Sequence, residues 1–170
     1  MSKMTELEKH RRYLTEALKA SLEDDREVPV GAIVVRKGEI IARAHNERET
    51  DAHDPFGHAE MLAMRQAAKM LGTRHLRDCT LYVTLEPCPM CAGAMMLAEL
   101  EACYFAAFDP RQGCCGSVYD LTQDPAFPRH VPTAGGLMEH QAEEALQSFF
   151  AQKRTGAPQE GTPAQVCEKE

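Results

Sequence analysis

The chain has 170 residues, a formal net charge of −7 and seven cysteines. That length suits one ordinary domain with its own core, and an odd cysteine count argues against a disulfide framework. The acidic balance excludes nucleic-acid binding by overall charge, so any such contact has to come from local patches.

From Thr5 to Glu23, Leu7, Leu14, Leu18 and Leu22 recur at the spacing of a helix with one buried stripe, which Asp24-Asp25-Arg26 ends. No uninterrupted apolar stretch at the start resembles a secretory signal, and no later run approaches the roughly 20 apolar residues that span a bilayer. The expectation is a soluble, cytoplasmic protein with no membrane partner. Val30 to Val35, the turn Lys37-Gly38 and Glu39 to Ala42 read as an antiparallel hairpin, with Asn46 just beyond it. Glu47 to Gly57 is a polar loop containing Asp54-Pro55, and His58 to Leu71 is dense in helix formers and closed by Gly72.

Cys79 to Leu85 is rich in β-branched and aromatic residues and reads as a buried strand stopped by Pro87. Cys88 to Glu99 returns to helix, and the apolar run Ala102 to Phe108 forms a further interior strand, parallel to the last because a helix intervenes. Asp109 to Thr133 is turn-rich, with Arg129 to Thr133 a candidate for a sheet edge. Glu139 to Lys153 is an amphipathic helix, and the segment from Thr155 onward lacks an apolar face and is expected to be a flexible tail (155–170) after a single domain (1–154). Alternating strands and helices give an α/β fold whose sheet begins antiparallel and continues parallel.

Two thiols three residues apart, Cys88 and Cys91, sit at a helix start, where the helix dipole and a bound metal both favour thiolates. Zinc suits sulfur and imidazole ligands. A lone CxxC also suits a redox pair. No second CxxC is present, Cys114 and Cys115 being adjacent, so the better partner is His58, followed two positions later by Glu60. Three protein ligands leave a fourth position open, the pattern of a catalytic rather than a structural zinc, on which a bound water acquires a pKa of about 7. Glu60 cannot share a regular helical face with His58, so His58 is expected at the helix cap and Glu60 is the candidate proton carrier. Alone, either residue would read as an ordinary surface or capping group.

His58-Ala59-Glu60 together with Pro87-Cys88-Pro89-Met90-Cys91 is the signature of zinc deaminases acting on nucleobases. Arg26 to Ala32 (REVPVGA), Asn46, His53 to Pro55, Thr80 to Cys88 (TLYVTLEPC), Met90 to Met95 and Gly113 to Ser117 extend the match, and the chain to about Arg154 resembles the bacterial tRNA-specific adenosine deaminases of the cytidine/deoxycytidylate deaminase superfamily. The resemblance implies a three-layer α/β/α fold with a mixed, about five-stranded sheet, a homodimer, and one Zn2+ per subunit held by His58, Cys88 and Cys91. It implies hydrolysis of the wobble adenosine of a tRNA anticodon stem-loop to inosine, with Glu60 catalytic and Asn46, Ala59 and Asp109 contacting substrate. Three features depart from the pattern of some relatives: Phe108, where a charged residue can stand, Cys114-Cys115, where alanines are frequent, and the tail after Arg154, which is acidic rather than basic. Arg111, Arg129, His130, Lys153 and Arg154 are candidate RNA contacts, and Phe149-Phe150 is a candidate stacking surface or a packing pair for the last helix. Met95, Met96 and Leu97 could face a dimer partner or the core, whereas Cys79 and Cys103 read as small buried hydrophobes. Two alternatives remain: a deaminase of a free base or nucleoside such as guanine or cytosine, and a binding module with a purely structural zinc.

Overall fold

The computed structural model describes residues 5–50 and 53–155. Of the expected tail, residues 155–170, Thr155 is the last residue of the final helix, and residues 156–170 lie outside the described residues.

Helix α1 (Glu6–Ser21) opens on a capping box in which the Thr5 hydroxyl accepts from the Glu8 N–H and Glu8 returns a bond to the Thr5 N–H. Strands β1 (Gly31–Arg36) and β2 (Glu39–His45) form the expected hairpin. Both turn residues, Lys37 (φ 50°) and Gly38 (φ 83°), are left-handed, as a two-residue turn matched to strand twist requires. β2 runs on to His45, beyond the expected Ala42, with a register irregularity at Val34/Val35. Its later half alternates buried alanines with polar residues, a period-two signal that a search for apolar runs misses.

Helix α2 (Ala59–Leu71) has Gly72 as its left-handed C-cap (φ 63°). It is followed by β3 (Cys79–Leu85), α3 (Pro89–Leu97), β4 (Ala102–Ala107), a 3₁₀ turn (Leu121–Gln123), β5 (Thr133–Ala134) and α4 (Glu139–Thr155). The sheet order is β2-β1-β3-β4-β5, with β1 antiparallel to both neighbours and the β3/β4 and β4/β5 pairs parallel. Of the candidate edge segment Arg129 to Thr133, only Thr133 enters a strand. Val131 instead donates its N–H to Thr122 O, and Pro132 O accepts from Cys103.

Side-chain alternation divides the core into two layers. Ala32, Val34, Leu81, Val83, Cys103 and Phe105 face one side with α2 and α3, whereas Ile33, Val35, Tyr82 and Ala106 face the other with α1 and Ala142 of α4. Cys79 and Cys103 are fully buried, as expected of small hydrophobes. Met95 and Met96 are core, while Leu97 is 78% exposed. No helix of the described residues is long and apolar enough to cross a membrane.

Helix α1 approaches the start of β1 backbone to backbone. A Cβ built at Gly31 would lie 2.2 Å from Ala17 O and 2.4 Å from Ser21 N, and the Gly31 N–H donates to Thr84 Oγ1 at 3.1 Å. Gly31→Ala is therefore expected to cost at least the roughly 1–3 kcal/mol of an overpacked core. A denaturant midpoint unchanged from that of the parent would contradict this.

Candidate active site

The functional residues gather where α2 and α3 begin. His58 is the N-cap of α2 and Cys88 the N-cap of α3, both with extended backbone and neither using its side chain as a cap. The side chains point at each other instead: His58 Nδ1 lies 3.6 Å from Cys88 Sγ and 3.6 Å from Cys91 Sγ, and the three ligand atoms all fall within 4.8 Å of one another. A tetrahedral zinc with Zn–N of about 2.0–2.1 Å and Zn–S of about 2.3 Å requires His–Cys separations of about 3.6 Å. The donor set therefore fits zinc. His58, Cys88 and Glu60 border the adjoining cleft while Cys91 is buried behind them, so the ligand set is open on the cleft side.

The electrostatics of the three side chains favour one of the two thiolates that zinc requires. A hydrogen bond from Cys91, and then one from His58, hold the Cys88 thiol down at about 4 despite burial, so a thiolate is ready there. The same Cys88 hydrogen bond and burial raise Cys91, which keeps the proton of the pair. His58 is raised, chiefly by its contact with Cys88. Burial pushes Glu60 up to about 7, against the opposing pull of its own backbone N–H and of His58. A carboxyl poised near neutrality can both accept and release a proton.

Asn46 bridges the hairpin to the metal helix. Its Oδ1 accepts the Ala59 N–H at 3.0 Å and its Nδ2 donates to Val28 O at 3.3 Å, yet it still lines the cleft. Ala59 is fully buried beneath the site with its amide committed to Asn46. Asp109 lines the cleft and accepts the N–H groups of Arg111 (2.9 Å) and Gln112 (3.3 Å) in a local turn.

The cleft has a volume of about 950 Å³ and runs from the metal ligands past Phe108 and Asp109 to α4. Of the five basic candidates only Arg111 and Arg154 border it, and Arg48, which sequence reasoning missed, joins them. None of these three guanidinium groups forms an ion pair among the described residues. Arg129 is instead paired with Glu99 at 3.0 Å, the His130 ring contacts Asp124 O, and Lys153 sits over the Phe149 ring. The two phenylalanines divide the alternatives held open for them. Phe149 packs inward at 9% exposure, whereas Phe150, 40% exposed, borders the cleft.

Two buried carboxylates were also missed. Glu27 Oε1 accepts the N–H groups of Glu49 (2.7 Å) and Thr50 (2.8 Å), tying down the loop that begins at Arg48. Glu86, at the end of β3, receives hydrogen bonds from the 109–117 loop. Burial raises its carboxyl, but the combined donors from Ser117, Asp109 and Cys115 outweigh that and leave it below its ordinary value. The one sequence signal for Glu86 was an acidic residue sealed between an apolar strand and Pro87, a place where a carboxylate needs dedicated partners.

Comparison with known proteins matches residues 4–107 to the cytidine and deoxycytidylate deaminase zinc-binding region. A tRNA-specific adenosine deaminase of Bacillus subtilis is 47% identical over 144 residues, covering 84% of this chain and 89% of that protein. One from Aquifex aeolicus is 44% identical over 128 residues, covering 75% and 83%. A structure from work on A-to-I editing by tRNA:A34 deaminases at the wobble position superposes with a TM-score of 0.73 at 36% identity, over 79% of this chain and 99% of that one. The guanine deaminase of Bacillus subtilis superposes with a TM-score of 0.57 at 34% identity, over 89% and 98%. The chain belongs to the cytidine and deoxycytidylate deaminase family, in its tRNA-specific adenosine deaminase branch.

Proposed function

We propose that the protein hydrolyses adenosine to inosine at the wobble position of a tRNA anticodon, as a cytoplasmic homodimer with one zinc per subunit. The observation that carries this is the cleft itself: a His58/Cys88/Cys91 metal set and a buried Glu60 at its base, with Arg48, Arg111, Arg154 and an exposed aromatic ring around it. At about 950 Å³ it stands at the upper end of the roughly 300–1,000 Å³ typical of small-molecule pockets, and its three arginines, set beside Asp109 and Glu143, suit a substrate with phosphates on either side of the reacting base.

His58, Cys88 and Cys91 would hold the zinc, which would supply an acidified water as the nucleophile. Glu60 takes a proton from the attacking water at its carboxylate, delivers it to the purine ring nitrogen, and then assists departure of the C6 amine as ammonia. Asn46, fixed by its bonds to Ala59 and Val28, presents its remaining amide hydrogen at the cleft wall. Phe150 offers a face on which a neighbouring base stacks.

The second reading, deamination of a free purine, is favoured by the 34% identity to guanine deaminase. Mass-resolved inosine formation from an anticodon hairpin, run beside free adenosine, guanine and cytosine, separates the two. The hairpin alone is expected to react, and conversion of free guanine alone would move the protein to the other branch. In the same assay Glu60→Gln is expected to retain zinc and lose turnover by at least about 100-fold, the contribution of one acid–base group. A fully active Glu60→Gln enzyme would refute the proton-carrier role.

Each cleft arginine is expected to meet a phosphate. Arg154→Ala should raise KM for the hairpin with kcat retained, and lower the slope of log KM against log salt by about 0.7, the release expected per single-strand phosphate contact. An unchanged slope would make Arg154 an ordinary surface charge.

Exposed Leu97 on α3, with Val118 and Tyr119 shortly before the 3₁₀ turn that packs on α3, supplies apolar surface for a second copy. Sedimentation velocity is expected to show a species of twice 18.9 kDa, and a monomer at micromolar concentration would exclude the dimer.

A further inference from the structure

The wall of the cleft that carries Asp109 and Arg111 belongs to no helix or strand. Residues 109–117 leave the end of β4 and return past the start of α3, and among the described residues their sheet-like pairing is one isolated bridge, Cys115 to Asp120. Backbone without regular partners beside a binding site needs its amides satisfied some other way.

Glu86 does this. Its side chain is 2% exposed, and both oxygens are doubly used. Oε1 accepts the N–H groups of Cys115 and Ser117, each at 3.0 Å. Oε2 accepts the Asp109 N–H at 3.0 Å and the Ser117 hydroxyl. Gly113 packs flat on the carboxylate, where a Cβ would come within 2.3 Å of it. The position of Glu86 is itself fixed: its own N–H donates to Ala107 O at 2.8 Å, and Pro87 O accepts the Cys114 N–H at 2.9 Å. Two residues further on stands the metal ligand Cys88.

We propose that Glu86 is a positioning residue for the deamination: its four accepted hydrogen bonds lock the 109–117 loop to the metal-bearing turn, and so set the distance of Asp109 and Arg111 from the reacting base. The assignment rests on the cleft being the reaction site. Glu86 touches no reacting atom in this scheme and acts through the loop.

The geometry makes a specific demand. All four partners are donors, so the anion is matched and an amide is not. In Glu86→Gln one side of the group becomes NH2, and in either orientation it faces at least one backbone N–H that has no other acceptor. The near-isosteric change therefore fails where a merely space-filling role would tolerate it. Ser117→Ala removes one donor and leaves the three backbone bonds in place.

The test compares Glu86→Gln, Ser117→Ala and the parent, each zinc-loaded, for zinc content, amide hydrogen exchange and steady-state kinetics on whichever substrate the parent converts. Glu86→Gln is expected to keep its zinc and the slow exchange of α2 and β3, to exchange the amides of Asp109, Cys115 and Ser117 faster, and to raise KM by about tenfold, the scale of one unsatisfied buried donor. Ser117→Ala should shift KM in the same direction by less. In an Asp109→Ala background the effect of Glu86→Gln on KM should shrink, because both act through one loop. Unchanged loop exchange in Glu86→Gln, or KM effects that multiply with those of Asp109→Ala, would overturn the proposal while leaving the deaminase reading intact. Turnover of no nucleobase by the parent would instead sink that reading, with the exchange data still deciding whether Glu86 holds the loop.

Discussion

Both helices that hold the metal set start on a residue whose side chain is turned to the metal site and not to the cap. An N-cap side chain normally accepts one of the free N–H groups of the first turn, at a benefit of about 0.5–2 kcal/mol. His58 and Cys88 occupy the two N-cap positions but turn their side chains toward each other, 3.6 Å apart. The missing caps are made good from elsewhere. Asn46 reaches from the end of β2 to accept the Ala59 N–H, and Pro89 at the start of α3 removes a donor that would otherwise need a partner. Asn46 thus has a structural duty in this chain besides any contact with substrate, and its position decides where His58 sits.

The sheet brings these two turns together. The β3-α3-β4 unit is parallel, so α3 must begin at the carboxyl end of β3, and α2 on the same face begins beside it. Regular structure ends there, and two buried carboxylates take over on the flanking loops, Glu27 on the 49–50 backbone and Glu86 on the 109–117 backbone. Glu27 and Glu86 are buried with their carboxylates turned to backbone N–H groups, so part of the −7 net charge is held inside the fold. The acidic total is then compatible with a cleft bordered by three arginines.

Elements carried by residue propensity or apolar patterning were legible in the sequence: the hairpin, both metal-bearing helices, the parallel strand pair and the last helix fall where those signals put them. The metal ligands and Glu60 were legible because their chemistry demands fixed spacing, and His58 stands at the cap that its spacing from Glu60 required. What escaped depends on contacts distant in sequence. Arg48 gains meaning only when the loop after β2 folds over toward α4. Glu86 finds its partners 23 to 31 residues downstream in a segment without periodicity. Arg129 reads as a free cation until Glu99, in a left-handed backbone conformation after α3, is placed beside it.

The contrast between Glu60 and Glu86 shows how one environment yields two roles. Both side chains are almost fully buried, and both lie within two residues of a metal ligand in sequence. Glu60 has few donors around it, so burial dominates and its carboxyl rises to about 7. Glu86 has four, which together overcome burial and keep it ionised. A proton carrier has to be able to change state near neutral pH, whereas a carboxylate that anchors backbone N–H groups would drop them on protonation. The donors given to each carboxylate therefore separate chemistry from support: Glu60 meets its own backbone N–H and the Cys91 thiol, which do not offset burial, whereas the irregular loop beside Glu86 turns three backbone N–H groups and a hydroxyl toward it.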